Sequence, residues 1–178
     1  EILDQEAAPS VLDIGTGSGC LAVSIAVACP AAHIDALDIS ADALALARGN
    51  AIRHQVADRI LCLKGDGRER LPAGPYHVIV SNPPYISTAE LEGLQPEVRN
   101  HDPRLALDGG SDGLDFYLAL AMNSATSLHP GGWLLLEVGD NQATAVVELF
   151  TDSNWRIKQV LEDLAGIPRI VIATPPVS

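Results

Sequence analysis

The stretch that most constrains the fold is Val11-Leu12-Asp13-Ile14-Gly15-Thr16-Gly17-Ser18-Gly19, an apolar run that breaks into glycine at every second position. Val11 to Ile14 has the length and apolarity of a short buried strand, and Cys20 to Cys29 follows as an apolar helix that Pro30 terminates. Strand, glycine loop and helix in that order open an α/β unit. The glycines allow backbone conformations closed to other residues and let a ligand approach closely, while the helix start offers free N–H groups and partial positive charge. A nucleotide-like ligand is the expected guest. Spacing narrows the choice: a dinucleotide fingerprint needs glycine where this chain has Cys20, and a Walker-type loop needs a lysine, the first of which is Lys64. NAD and nucleoside triphosphates are therefore disfavoured.

The alternation continues along the chain. Ile34 to Leu37 reads as a second strand ending at Asp38, whose carboxylate can accept hydrogen bonds from both hydroxyls of a ribose, although an acidic strand end is also ordinary surface punctuation. Ser40 as N-cap, Asp42 in the first turn and Ala43, Leu44, Ala47 and Ala51 at helical spacing predict a helix from Ala41 to His54. Ile60 to Leu63 is a third strand, closed by Lys64-Gly65-Asp66-Gly67. Asp66 there is either an acceptor for an adenine amino group or common turn chemistry. His77 to Ser81 is the fourth strand. Strand patterning is then lost from Ile86 to about Gly113, apart from a short helix from Thr88 to Gln95. A connection that long inside an α/β domain is functional or disordered, and its mixture of apolar anchors and charges favours function. A helix from Leu114 to Leu128 follows, turned by Pro130-Gly131-Gly132 into the strand Trp133 to Val138. Helix Gln142 to Phe150 precedes an antiparallel pair, Trp155 to Leu161 and Arg169 to Thr174.

The fourth strand runs into Asn82-Pro83-Pro84-Tyr85. The residue before a proline is pushed to an extended conformation, and the two prolines lack N–H groups and stiffen the turn. Asn82 Oδ1 and the Pro83 carbonyl can each accept one N–H of an incoming amino group, and the Tyr85 ring offers a flat face. Proline pairs are also common loop punctuation, but the whole tetrad is a more specific signal.

Composition limits the remaining classes. A chain of 178 residues, 47% apolar, suits one globular domain with a substantial core. Its longest apolar run, Cys20 to Cys29, is about half of what a membrane span needs, and no charged-then-apolar leader precedes it, so a soluble cytoplasmic protein is expected. Cys20, Cys29 and Cys62 lack CxxC spacing and are expected as buried thiols, and the five histidines show no pairing that suggests a metal site. A formal charge of −12 opposes a broad nucleic-acid footprint.

Taken together, Asp13 to Gly19, Asp38, Asp66 and the tetrad Asn82 to Tyr85 resemble the class I S-adenosylmethionine-dependent methyltransferases that modify planar amino groups. That resemblance implies a Rossmann-like α/β fold with a seven-stranded, mostly parallel sheet of order 3-2-1-4-5-7-6 and one antiparallel strand. The tetrad alone is shared with adenine-N6 DNA and guanine-N2 RNA methyltransferases. The segments Pro96-Glu97-Val98-Arg99, Pro103 to Leu107, Gly109-Gly110, Asp112-Gly113-Leu114 and Tyr117 closely resemble the protein-(glutamine-N5) methyltransferases, which modify the Gly-Gly-Gln glutamine of peptide chain release factors. Asp102 departs from the glutamate expected before proline. The helical N-terminal domain of that family is not seen in this chain, so residues 1–178 are expected to be the methyltransferase domain alone.

The resemblance implies S-adenosylmethionine as cofactor, with S-adenosylhomocysteine as product, and no metal. Gly15, Gly17 and Gly19 would lie under its methionine part, Asp38 on the ribose and Asp66 near the adenine. Asp13, Thr16, Ile39, Gly67 and Asn82 complete the implied cofactor set. Asn82, Pro83 and Tyr85 would carry catalysis, and Asn82, Pro83, Pro84, Tyr85, Glu97 and Arg99 would meet the substrate. The implied partner is a release factor, with no direct nucleic acid, no membrane and a monomeric enzyme. Two rivals stand beside this reading: a nucleic-acid methyltransferase, opposed by the acidic balance and the long loop, and a non-catalytic cofactor-binding subunit, opposed by the retained Asn82 and Tyr85.

Overall fold

A computed structural model describes residues 3, 6–91, 93 and 106–176. Its strands are β1 (Ser10–Ile14), β2 (His33–Asp38), β3 (Ile60–Lys64), β4 (Tyr76–Ser81), β5 (Leu128–Glu137), β6 (Arg156–Glu162) and β7 (Pro168–Thr174). They form one sheet in the order β3-β2-β1-β4-β5-β7-β6. The first five strands in that order run parallel, and β7 is antiparallel to both β5 and β6. The expected sheet order and the antiparallel strand are both observed. Helices α1 (Cys20–Ala28), α2 (Ala41–Arg53), α3 (Thr88–Leu91), α4 (Asp115–Asn123) and α5 (Ala143–Asp152) join the strands. No helix among the described residues is long and apolar enough to cross a membrane.

The two faces of the central strands follow the period-2 alternation of their side chains. Leu12, Ile14, Ile79, Leu134 and Leu136 face α4 and α5 and pack with Tyr117, Leu120, Val146 and Phe150. Val11, Val78, Val80 and Ile34 face the other way, toward Ala22, Val23 and Ala26 of α1 and Ala51 of α2. Asp13 shares the face of Val11, so its carboxylate is driven against the start of α1. α1 begins where the glycine loop releases the chain. α2 begins at Ser40, whose hydroxyl accepts the Ala43 N–H at 3.2 Å, as its N-cap character predicts.

Two expectations are corrected. The helix expected from Leu114 to Leu128 ends at Asn123, a 3₁₀ turn covers Ala125–Ser127, and Leu128 already belongs to β5. Leu128 pairs with Tyr76 and Trp133 with Val78, so the residues between them form an irregular step in which Pro130-Gly131-Gly132 is part of the strand. The cause is competition for backbone groups: Thr126 Oγ1 donates to the Asn123 carbonyl at 3.3 Å and Ser127 Oγ to the Pro72 carbonyl at 3.2 Å, while Leu128 is buried. The cysteines are free, as expected from their number and spacing, but they are not buried. Cys20 is exposed, and Cys29 and Cys62 are half-buried, because apolar sequence neighbours do not decide which way a residue on an outer helix or edge strand points. The expected helix from Thr88 to Gln95 is seen from Thr88 to Leu91; Gly93 lies in a turn, and residues 92, 94 and 95 lie outside the described ones.

Candidate functional site

Parallel pairing brings the predicted residues to one rim. Ile14 is in register with Leu37 and Ser81, and Asp38 with Lys64, so the glycine loop, Asp38, the turn at Asp66 and Asn82 all leave the carboxyl edge of the sheet. β1 and β4 lie side by side where the strand order reverses, which is where an open α/β sheet forms a ligand crevice.

The glycine loop is fixed from below. The N–H groups of Gly15 and Thr16 both donate to the Leu37 carbonyl, at 2.9 and 3.0 Å. Gly15, Gly17 and Gly19 have φ of 71°, 55° and 79°. Their surroundings differ. A Cβ on Gly15 or Gly17 would meet nothing closer than 4.0 Å, so that side of the loop is open to a ligand. A Cβ on Gly19 would sit 2.9 Å from Ala47 Cβ, so this glycine serves the close approach of α1 and α2. Asp13 is 1% exposed. Its Oδ2 accepts the Thr16 hydroxyl at 2.6 Å and the Ala22 N–H at 3.1 Å, which ties loop to helix. Burial pushes the Asp13 carboxyl up to about 6, against the lowering effect of those two bonds, and the nearby Asp38 adds a smaller upward push.

Asp38 sits at the loop's rim. Its Oδ2 accepts the Gly17 N–H at 2.8 Å and its Oδ1 the Ser40 N–H at 2.8 Å, which leaves lone pairs on both oxygens for two hydroxyl donors. Ile39 beside it is 40% exposed, an apolar surface at the crevice edge. Asp66 is gripped by Arg68: Nη2 donates to Oδ2 at 2.7 Å, and the Arg68 N–H to Oδ1 at 2.9 Å. This hydrogen bonding to the Arg68 side chain holds the Asp66 carboxyl below the usual carboxylate range. Arg68 was not anticipated, although a basic residue two positions after the acid was a visible signal. Gly67 is buried beneath Ile14, whose Cγ2 would lie 2.4 Å from an added Cβ.

The tetrad begins where Ser81, buried, donates its hydroxyl to the Ile14 carbonyl at 2.8 Å. Asn82 is exposed, Pro83 buried, and Pro84 and Tyr85 half-buried. Among the described residues, no side-chain or loop hydrogen bond engages the Asn82 amide or the Pro83 carbonyl. The rest of the turn is tightly enclosed. A Cβ on Gly109 would lie 2.9 Å from both the Pro84 carbonyl oxygen and Tyr85 Cα, and one on Gly113 would lie 2.4 Å from the Tyr85 carbonyl oxygen. Tyr117 is fully buried and donates its hydroxyl to the Glu137 carbonyl at 2.8 Å, which secures the end of β5, and burial raises its pKa. Glu97 and Arg99 lie outside the described residues. In the sequence Gln142 marks only a helix start. It reaches the tetrad, and the signal that could have found it is a glutamine where a helix cap normally takes Ser, Thr, Asp or Asn.

Chemically, the crevice offers an open glycine cradle, a two-oxygen acceptor at Asp38, and carbonyl-type acceptors at Asn82 and Pro83 that no described residue engages. Known proteins are similar to this chain in sequence and in fold. A release factor glutamine methyltransferase of Geobacter sulfurreducens is 47% identical over 164 residues, covering 92% of this chain and 57% of that protein. A bifunctional methyltransferase of Rickettsia felis is 41% identical over 165 residues, covering 93% of this chain and 31% of that protein. The chain thus spans only part of the length of these relatives. In structure it resembles TrmN from Thermus thermophilus, with a TM-score of 0.67 at 23% identity over 97% of this chain and 45% of the other, a likeness of fold. The model of the methyltransferase small domain matches residues 1–97. With more than half of its length so matched, the chain belongs to the methyltransferase small domain family.

Proposed function

We propose that this chain transfers a methyl group from S-adenosylmethionine to the side-chain amide nitrogen of the glutamine in the Gly-Gly-Gln motif of peptide chain release factors. The observation that carries the acceptor assignment is the pair of acceptors, Asn82 amide and Pro83 carbonyl, that no described residue engages, beside the half-buried Tyr85. A protein acceptor is supported by the relative at 47% identity, a release factor glutamine methyltransferase.

The crevice fits the cofactor. Gly15 and Gly17 leave room above the loop, Asp38 has lone pairs for two ribose hydroxyls, and Ile39 offers an apolar edge for a base. Asp66 stands at the adenine end, already ionised and oriented by Arg68. Asp13 and Thr16 act from beneath, by holding the loop's shape. When bound, the cofactor supplies an electrophilic methyl group on a sulfonium and leaves as S-adenosylhomocysteine.

The protein's task is orientation. A carboxamide nitrogen is a weak nucleophile because its lone pair is delocalised into the carbonyl. Asn82 Oδ1 and the Pro83 carbonyl, each accepting one N–H of the glutamine amide, hold that nitrogen, and the Tyr85 ring covers the amide plane. Positioning of this kind is worth up to about 7 to 11 kcal/mol in favourable cases. A strong base is not required, since methylation makes the nitrogen acidic and its surplus proton passes to the Asn82 oxygen or to water.

The test is transfer of labelled methyl from S-adenosylmethionine to purified release factor, with DNA and RNA in parallel. Label confined to the Gly-Gly-Gln glutamine is expected. Label on nucleic acid, or none on any acceptor despite cofactor binding, would overturn the reading.

A further inference from the structure

The turn that holds Tyr85 cannot secure itself, because Pro83 and Pro84 have no N–H to donate. Its attachment comes from elsewhere. Gln142, 57 residues away, donates Nε2–H to the Tyr85 carbonyl at 2.8 Å. The other end of the same side chain, Oε1, accepts the Gly139 N–H at 3.2 Å. The Ile86 N–H, on the same peptide plane as the Tyr85 carbonyl, donates to the Leu107 carbonyl at 3.0 Å. That plane is therefore held from both sides. Gly139 also borders the ring itself: a Cβ there would lie 2.8 Å from Tyr85 Cδ2 and 2.5 Å from Gln142 Oε1. One carboxamide thus links the turn after β5, the Tyr85 backbone and the place where the ring lies.

Helix stability does not account for this arrangement. Gln142 is the N-cap residue of α5, yet its side chain makes no capping hydrogen bond. Glutamine is not among the residues that cap well, and only its backbone carbonyl, which accepts the Val146 N–H at 3.0 Å, serves the helix.

We propose that Gln142 is a positioning residue for methyl transfer: by locking the Tyr85–Ile86 peptide plane between β5 and the tetrad, it sets the Tyr85 ring against the acceptor amide. This rests on the function proposed above. Gln142 touches neither reactant in this scheme. It acts through Tyr85, and misplacement of a positioning group by about 1 Å can cost on the order of a hundredfold in rate.

The test uses Gln142→Ala and Gln142→Glu in the chain of residues 1–178, with methyl transfer to release factor, cofactor affinity by calorimetry, and fluorine NMR of labelled tyrosine. Tyr76, Tyr85 and Tyr117 are the only tyrosines, so the signals are assignable by substitution. Gln142→Ala is expected to lower kcat by about 10- to 100-fold with cofactor affinity within about twofold of the parent, and to shift or broaden the Tyr85 signal. The ionised carboxylate of Gln142→Glu presents only acceptors to the Tyr85 carbonyl, whereas its protonated form can donate. Its kcat relative to the parent, and its Tyr85 signal, are therefore expected to recover as pH falls. A parent-like kcat and Tyr85 signal in Gln142→Ala, or a pH-independent ratio for Gln142→Glu, would overturn the proposal. Should the parent methylate no glutamine, the functional reading fails, while the Tyr85 signals of the two variants still decide whether Gln142 sets the ring.

Discussion

Asp38 ends β2 and Asn82 follows β4, on either side of β1, and they are expected to separate cofactor binding from catalysis. Asn82 has no protein partner among the described residues, so its removal disturbs little of the fold. Asn82→Ala is expected to keep cofactor affinity and to lose about 10²- to 10³-fold in turnover, as for one preorganised polar contact. Asp38→Ala is expected to do the reverse, weakening cofactor binding by about 10- to 100-fold, since hydrogen bonds to a charged group are worth about 1.5 to 3 kcal/mol. Calorimetry and turnover on both variants check the pair, and unchanged turnover in Asn82→Ala would remove its assigned role. Asp13 makes a different prediction. Its carboxyl lies at about 6 in the fold against an ordinary 3.8, so its contribution to stability is fully present below 3.8 and lost as pH rises through about 6. At about 1.4 kcal/mol for each pH unit, the loss is on the order of 3 kcal/mol. Asp13→Asn keeps an acceptor for Thr16 and Ala22 without titrating. Its stability relative to the parent should therefore rise between about pH 4 and 7, and denaturant midpoints that stay parallel across that range would contradict the assignment.

Among the elements, the glycine loop and the two helices beside it divide the work of glycine. At Gly19, a Cβ would lie 2.9 Å from Ala47 Cβ and 3.1 Å from Ala47 Cα, so α1 and α2 would have to part. Gly19→Ala is expected to cost about 1 to 3 kcal/mol from overpacking and left-handed strain, and Ala47→Gly in the same chain should return part of it. At Gly17 the strain remains but the space is open to 4.0 Å, so Gly17→Ala should lower cofactor affinity more than it lowers stability. Thermal melting beside cofactor titration separates the two, and equal losses of stability in both variants would show that the loop is not divided this way.

Across the whole molecule, the sheet is held between two apolar layers, and the layer under α5 closes on Phe150. This residue is fully buried and meets Trp155 edge-on, with ring centroids 5.4 Å apart. Trp155 in turn donates its indole N–H to the Ala121 carbonyl at 2.9 Å, which links α4, α5 and the start of β6. Phe150→Ala is expected to destabilise the fold by about 3 to 5 kcal/mol. Met122, 71% exposed on α4, has no such contacts to lose, so Met122→Ala should change stability by less than about 0.5 kcal/mol. Denaturant unfolding followed by tryptophan fluorescence measures both, and a Phe150→Ala loss as small as that of Met122→Ala would mean that this layer does not hold the molecule together.

Local patterning determined much of this protein. Apolar runs of strand length, helix caps such as Ser40 and the alternation of glycine at 15, 17 and 19 are properties of neighbouring residues, and the strands and the two helices α1 and α2 that they mark are observed, with the start of β5 shifted to Leu128. The sheet order came through the resemblance of those marks to known methyltransferases. What tertiary structure decided involves residues far apart in the chain. The helix pattern running to Leu128 is ambiguous because apolar spacing continues, and pairing with Tyr76 on a distant strand resolves it. The separate duty of Gly19 depends on Ala47, and the exposure of Cys20 depends on which face of α1 meets the sheet. The unusual glutamine cap marks Gln142 locally but not its partner 57 residues away, and only the meeting of β4 and β5 side by side brings its carboxamide to the Tyr85 carbonyl.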